Sequence, residues 1–352
     1  SAATFHFMTS APIAVIGAGL AGLACAQALT QAGHTVHVFD KSRGPSGRMS
    51  TRRGDDASGP WQCDHGAQYF TARDDAFRAE VRRWQNAGAA ALWDARILSF
   101  DGETWRTSDT PPERFVGTPR MTSPATWLAG SLGERAMCQW QTTVQALVPD
   151  AEGWTLDTAE HGRLSQCYRA VLLAIPAPQA QPLLAAVAPS GAALAGGARM
   201  RASWAVMVRC PAPVALPCEG AFINAGPLRW VARDSSKPGR TGPETWLLHA
   251  SAQWSEAHLE DDAAAVTQQL LAAFTELGGP RPEQVQATAH RWRFADTEPA
   301  LTLGHWWDAD ASLGLCGDWL HGGKVEGAWL SGRGLAQRVA QAVRDSRPWS
   351  SD

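Results

Sequence analysis

The apolar positions of this chain fall into short unbroken runs and longer helical stretches. Residues 12–16 (Pro-Ile-Ala-Val-Ile) predict a buried strand, and the alanine-rich stretch through Gln31 to Gly33 has helical length. Thr35-Val-His-Val-Phe39 predicts a second strand that ends on Asp40. Tyr168 to Ile175 is another apolar run, closed by Pro176, and Thr142-Thr-Val144-Gln-Ala reads as a strand. Strands are expected over 203–209, 245–250 and 285–292, a helical run over 257–277, and Pro/Gly connectors such as Ser236-Lys237-Pro238-Gly239. Near the C-terminal end, Gly314-Leu-Cys-Gly317 predicts a strand closing on Asp318, then a glycine-rich turn and an amphipathic helix from about 326 to 344. Strand, glycine turn, helix and strand in that order predict an α/β fold, and the mixed run of elements in the middle adds an α+β second domain. No internal repeat or low-complexity linker interrupts it.

Composition narrows the classes. At 352 residues, with 45% hydrophobic and 18% charged, the chain is long enough for about two domains and too apolar to be disordered. Lys and Arg number 31 against 34 Asp and Glu, so no basic field draws nucleic acid or an anionic membrane. The seven cysteines form no C-x-x-C pair, which argues against a zinc site or disulfide framework and for a reducing cytoplasm. Residues 11–29 imitate a secretory h-region, but no Lys or Arg precedes them and the first is Lys41, so a signal peptide is not expected. The Ala/Leu-rich stretch 170–198 is broken by Pro176, Pro178, Pro182 and Pro189 and does not predict a membrane span. Ser1 to Phe7 read as a non-native leader ahead of Met8. The 17 Trp against 2 Tyr and 10 Phe mean either bulky packing or a wall for a flat ligand. Trp84, Trp105, Trp127, Trp154 and Trp246 fall on core patterns, which leaves Trp292, Trp319 and Trp329 beside the candidate motifs.

The chemistry is concentrated at the two ends. Gly17-Ala18-Gly19-Leu20-Ala21-Gly22 stands between the first strand and helix: Gly17 permits the tight turn, Gly19 lets a pyrophosphate reach backbone N–H groups, and Gly22 lets the helix pack on the strand. Asp40 follows at the offset of an acid that holds a ribose hydroxyl. Lys41-Ser42-Arg43-Gly44-Pro45-Ser46-Gly47-Arg48-Met49 continues where a nicotinamide-only fold would begin another helix, and its Arg and Gly content suits a phosphate chain. Asp64-His65-Gly66-Ala67-Gln68-Tyr69-Phe70 sets small residues beside an aromatic, as a chain approaching a flat ring would. At the far end, Asp318 is placed to hold ribityl hydroxyls, and Lys324-Val325-Glu326-Gly327-Ala328 opens a helix whose positive end suits the electron-rich side of a reduced flavin.

Arg43-Gly-Pro-Ser46-Gly47-Arg48-Met-Ser-Thr51 resembles the second FAD fingerprint of the flavin-dependent amine-oxidase superfamily, R-x-x-G-G-R-x-x-T/S, with Ser46 in place of the first glycine of the pair. Together with DHGAQYFTARD, VGTPRM at 116–121, GDW and VEGAWLSG, the chain resembles the bacterial renalase-like branch of that superfamily from residue 11 to about 345. The resemblance implies a two-dinucleotide-binding-domain flavoprotein fold: residues 9–74, 123–180 and 297–345 for non-covalent FAD, and 75–122 and 181–296 as a mixed-sheet substrate domain. The strand ending at Pro176 would cross between the two. FAD would be held by Gly17, Gly19, Leu20, Ala21, Gly22, Asp40, Lys41, Ser42, Arg43, Gly47, Arg48, Met49, Gly66, Ala67, Gln68, Tyr69, Val144 (at the adenine), Gly317, Asp318, Lys324, Val325, Glu326, Gly327 and Ala328. It also implies a substrate, the 2- and 6-dihydro isomers of NAD(P), with oxygen as acceptor. Tyr69, His249 and Trp292 are the candidates for that pocket, ahead of His65, His321 and Trp319. An amine oxidase with a lysine beside the ring is the alternative. Of the three lysines, Lys41, Lys237 and Lys324, only Lys324 is expected near the flavin. A non-catalytic protein of the same fold, as GDP-dissociation inhibitors are, is a third reading. No metal is expected.

Overall fold

The computed structural model describes residues 11–45 and 47–345. Ser46, the replaced glycine of the fingerprint, lies outside the described residues, as do residues 1–10 with the expected leader and domain start. The described chain divides into two compact units: residues up to Gly47, Ala125–Arg199 and from Thr297 form unit 1, and Arg48–Pro124 with Met200–Asp296 form unit 2.

Unit 1 is built on a six-stranded sheet in the order Trp306–Asp308, Leu313–Leu315, Ala170–Leu173, Ile13–Ile16, Val36–Phe39 and Ala136–Gln139. All neighbours are parallel except the edge strand Trp306–Asp308. The inner strands are apolar at every position, as a parallel sheet covered on both faces requires. From Ile13–Ile16 the chain order runs outward in both directions, so the topological switch point lies at the C-terminal end of that strand, where Gly17 begins the turn. Helix Leu20–Gln31 crosses the long helix Val325–Asp345 at backbone contact. A Cβ on Gly332 would come within 2.0 Å of Ala21 O, so only glycine admits this crossing.

Unit 2 carries a seven-stranded sheet in the order Gln286–Thr297, Met200–Cys210, Glu244–Ala250, Leu228–Arg233, Gly220–Ile223, Ile97–Phe100 and Trp105–Thr107. One face, with Val206, Val208, Val231, Trp246 and Leu248, packs on Val266, Leu270, Leu271 and Phe274 of helix Ala263–Glu276. The helix expected over 257–277 is two helices, Ala252–Ala257 and Ala263–Glu276. Asp262 starts the second as an N-cap, its side chain accepting from Ala264 N.

Apart from residues 123–124, which fall in unit 2, the division differs from the expected boundaries over two longer stretches. Residues 48–74 belong to unit 2 because the hairpin of Thr51–Asp56 and Gly59–Asp64 is tied to that unit's sheet: Arg209 pairs with Asp56 at 3.0 Å and lies over the Trp61 ring at 4.0 Å. Residues 181–199 belong to unit 1, where helices Ala177–Leu184 and Pro189–Gly196 pack on each other and Gly191 sits so close under the Trp306 ring that a Cβ would meet it at 2.7 Å. The crossing therefore comes after Arg199 and not at Pro176. Among the described residues, no helix is long and apolar enough to cross a membrane.

Candidate functional site

The C-terminal ends of the parallel strands in unit 1 gather the glycine and aspartate motifs on one edge. Gly17 has φ +110°, and a Cβ there would lie 2.3 Å from Ala174 O, so the turn after the first strand excludes every other residue. Gly22 meets Gly17 O in the same way, which seats the helix on the turn. Helix Leu20–Gln31 begins at Gly19 with no side-chain cap and no acid in its first turn, whereas Asp74, Ser251 and Asp262 cap other helices with their side chains. Its leading N–H groups therefore remain for an anion. The Asp40 carboxylate accepts from Ala18 N at 2.7 Å and Ser42 N at 2.8 Å, which fixes it beside that turn. Thr142 N donates to Asp40 O at 2.9 Å and brings the approach to Val144 alongside. On the other side of the strand order, Gly317 (φ +153°) and buried Asp318 end the strand Leu313–Leu315. Gly317 N donates to Ser331 Oγ at 2.9 Å, and the buried Trp319 Nε1–H beside it has no acceptor among the described residues. Gly327 lies so close to His321 O that a Cβ would sit 1.8 Å away, which fixes the start of helix Val325–Asp345 on the preceding turn. Lys324, Lys41 and Arg43 are exposed, and Leu20, Ala21 and Gly327 are buried.

Unit 2 holds the remaining candidates. Arg48 donates from Nη1 to Ala295 O at 2.5 Å, and Met49 is buried. Gly66 and Ala67 lie against residue 48: Ala67 N donates to Arg48 O at 2.6 Å, and a Cβ on Gly66 would approach that oxygen to 2.0 Å. The glycine expected to approach a flat ring is thus already required by the protein's own backbone. Gln68 is buried and engaged on both ends, Nε2 donating to Asp64 O and Gly66 O and Oε1 accepting from Trp230 Nε1. Tyr69 stands between the rings of Trp230 (5.7 Å) and Trp93 (6.5 Å), with the Arg114 guanidinium 5.1 Å from its own centroid.

His249 and Trp292 converge on a single atom. His249 Nε2 and Trp292 Nε1 each donate to His65 O at 2.9 Å. His249 is opposite Ala205 and Trp230 in the sheet, hence on the same face as both and on the other side from the helix-packed core. The His65 ring lies 4.7 Å from that of His290 and 4.9 Å from Trp292. Burial, with Arg229 nearby, pushes the His249 pKa down to about 3, and burial with His290 pushes His65 down to about 4. Both rings are neutral at pH 7. The unfolded chain takes up those protons first, so these two groups add stability above pH 6.5 that is lost as pH falls toward 3 to 4. We expect the urea midpoint to drop across that window, and His249→Phe to flatten the slope.

Ser236–Gly239 is the connector expected, but Lys237 within it does not face solvent. Its side chain is fully buried, with Nζ 3.1 Å from Asp64 Oδ2 and 3.2 Å from Asp234 Oδ1. Arg240 also pairs with Asp64, which accepts from Thr51 Oγ1 at 2.7 Å and Met121 N at 3.2 Å. Burial alone would raise the Asp64 pKa, but the Lys237 and Arg240 cations hold it down at about 2. Asp234 goes the other way, pushed up to about 6 by burial and the Asp64 charge. No local motif discloses this network or the role of the His65 carbonyl: Asp64 and His65 belong to the glycine-containing segment 64–70, but their partners come from distant residues. A separate cavity of about 500 Å³ by Cys210 and Pro211–Ala215 has no charged lining group, and burial pushes the Cys210 thiol up to about 12, so it offers no nucleophile.

Comparison with known proteins matches residues 15–84, the start of unit 1 and the first part of unit 2, to the NAD(P)-binding Rossmann-like domain family. The bifunctional protein MnmC of tRNA 5-methylaminomethyl-2-thiouridine biosynthesis from Magnetococcus marinus is 30% identical over 191 residues, covering 42% of this chain and only 27% of that protein. A structure assigned as a protoporphyrinogen oxidase from Exiguobacterium sp. 255-15 superposes with TM-score 0.73 at 12% identity, over 94% of this chain and 99% of that one. Cyclohexylamine oxidase from Brevibacterium oxydans does so with TM-score 0.70 at 12% identity, over 95% and 100%. The chain therefore has the mixed α/β fold of these oxidase structures.

Proposed function

We propose that this chain is an FAD-dependent oxidase acting on the 2- and 6-dihydro isomers of NAD(P), with the balance dihydro-NAD(P) + O2 + H+ giving NAD(P)+ + H2O2. Unit 1 has the features such a cofactor needs: an uncapped helix start after Gly17, an acid fixed at Asp40, a buried indole N–H at Trp319 without an acceptor among the described residues, and Gly317-Asp318 on the same strand edge. When bound, FAD supplies the hydride acceptance that no side chain can provide and passes the electron pair to oxygen.

The observation that carries the substrate choice is the neutral aromatic face of unit 2. Trp292 and Tyr69, both half-buried, supply flat surface, buried Trp230 backs the Tyr69 ring, and the histidines beside them are uncharged. A dihydropyridine regains aromaticity when it loses hydride, so it needs flat orientation and no general base. An amine substrate is served poorly here. Lys237, the one lysine of unit 2, is locked between two carboxylates, and Arg114 already lies over the Tyr69 face that would otherwise cage a cation.

The test is an anaerobic panel followed by flavin absorbance. We expect 6-dihydro-NAD to bleach the flavin rapidly and benzylamine and polyamines to leave it oxidised. Bleaching by the amines alone would make the protein an amine oxidase, and a purified protein that takes up no FAD would remove both enzyme readings.

A further inference from the structure

A carbonyl oxygen can only accept, so the two contacts on His65 O settle the protonation of their partners. The His249 nitrogen that faces it, Nε2, carries the ring's proton. Because the ring is neutral, Nδ1 is left as a bare lone pair, and among the described residues no donor reaches it. The charges that could alter this are already engaged: Arg229 reaches Asp296 at 3.4 Å, Arg201 binds the same carboxylate at 2.9 Å, and Lys237 is held by Asp64 and Asp234. The adjoining His65 ring is also neutral, is 7% exposed, and has its own Nδ1 buried without a partner among the described residues. This part of unit 2 therefore has two imidazole nitrogens without partners among the described residues, and at His249 it is the bare one. Trp292 Nε1–H is spent on the same carbonyl.

We propose that His249 Nδ1 is a specificity-determining acceptor that takes an N–H of the substrate's carboxamide, so that the site selects the amide over the acid form of a pyridine dinucleotide. The proposal rests on the dihydronicotinamide reading above. A primary amide brings N–H groups to a lone pair. A carboxylate brings only lone pairs of its own and would lose its hydration without gaining a partner there. His65 acts through its main chain as the positioning residue: its carbonyl fixes which nitrogen of His249 is bare, and no side-chain change at position 65 removes that carbonyl.

The experiment uses the FAD-loaded protein and two ligands that do not turn over, NAD+ and nicotinic acid adenine dinucleotide, with dissociation constants read from perturbation of the flavin spectrum. The amide form is expected to bind roughly tenfold or more tightly, the scale of one lost hydrogen bond to a desolvated group. His249→Gln, whose amide N–H can reach His65 O while its carbonyl remains an acceptor, should retain the preference. His249→Phe should bring the ratio near one at unchanged flavin content. Equal affinities in the unsubstituted protein, or tighter binding of the acid, would overturn the proposal. A preference that survives in His249→Phe would overturn it as well. If neither dinucleotide binds, the dihydronicotinamide reading falls with it.

Discussion

Gly17→Ala is expected to yield a protein that carries no flavin. The substitution adds one methyl group where Ala174 O stands 2.3 Å from the ideal Cβ position, at a backbone φ of +110° that costs a non-glycine residue about 1–3 kcal/mol before any clash is counted. Neither neighbour can yield cheaply. Ala174 N donates to Ile16 O at 2.7 Å and Gly17 N donates to Phe39 O at 2.7 Å, so moving the turn breaks the registration of three strands at once. The N–H groups at the start of helix Leu20–Gln31 would lose the placement that makes them an anion site. The readout is the ratio of flavin to protein absorbance after incubation with excess FAD, beside a circular dichroism spectrum to show that the sheet has formed. Gly33→Ala is the control: its φ is +93°, but no atom lies within 4 Å of its Cβ, so it should lose some stability and keep its flavin. A Gly17→Ala protein with full flavin content would mean that the turn after the first strand is not the cofactor's seat.

The second large effect belongs to Asp64→Asn, which should cost about 3–5 kcal/mol, the usual range for breaking one side of a buried ion pair. Two cations, Lys237 and Arg240, would then face Asp234 alone in a region with almost no solvent. Asp234→Asn should cost much less, since that carboxyl is already pushed up to about 6 and the remaining pair keeps Asp64. The two acids also have opposite pH signatures. Asp64, depressed to about 2, contributes stability present above the unfolded value near pH 4 and lost as pH falls through 2. Asp234, raised to about 6, binds a proton more tightly when folded, so its contribution declines as pH rises from about 4 through 6. Urea unfolding between pH 3 and pH 8 on the two variants separates these terms. Equal losses for both asparagine variants would show that the charges share the site evenly.

The contrast between Gly17 and Lys237 shows what the chain makes legible. Gly17, Gly22, Asp40 and Gly317-Asp318 could be placed because each obeys a local constraint: a strand, a turn and a helix start lie within a few residues of one another. Lys237 lies in a connector, as the Pro238 and Gly239 after it indicate, but nothing local marks its side chain as buried. Its burial is decided by Asp64, 173 residues away, and no local pattern carries that information. Gly66 is an intermediate case. The need for a small residue was visible, but the atom imposing it is Arg48 O, and the same holds for the 48–74 segment, whose unit was set by Arg209 and its partners. His249 and Trp292 were singled out separately, and the shared carbonyl that relates them emerges only when the strands are in register.

The crossing of Gly332 over Ala21 has a consequence for synthesis. The helix that seats the dinucleotide turn is completed by a helix that ends at Asp345, and the strand Leu313–Leu315 lies beside Ala170–Leu173 in the same sheet. A ribosome adding roughly 5–20 residues per second would need tens of seconds to reach these elements after the glycine motif has emerged. During that interval the first βαβ unit lacks the partner against which its helix packs. Ribosome-bound chains stopped before residue 313 should capture no FAD, and capture should begin only once the last helix is free of the exit tunnel.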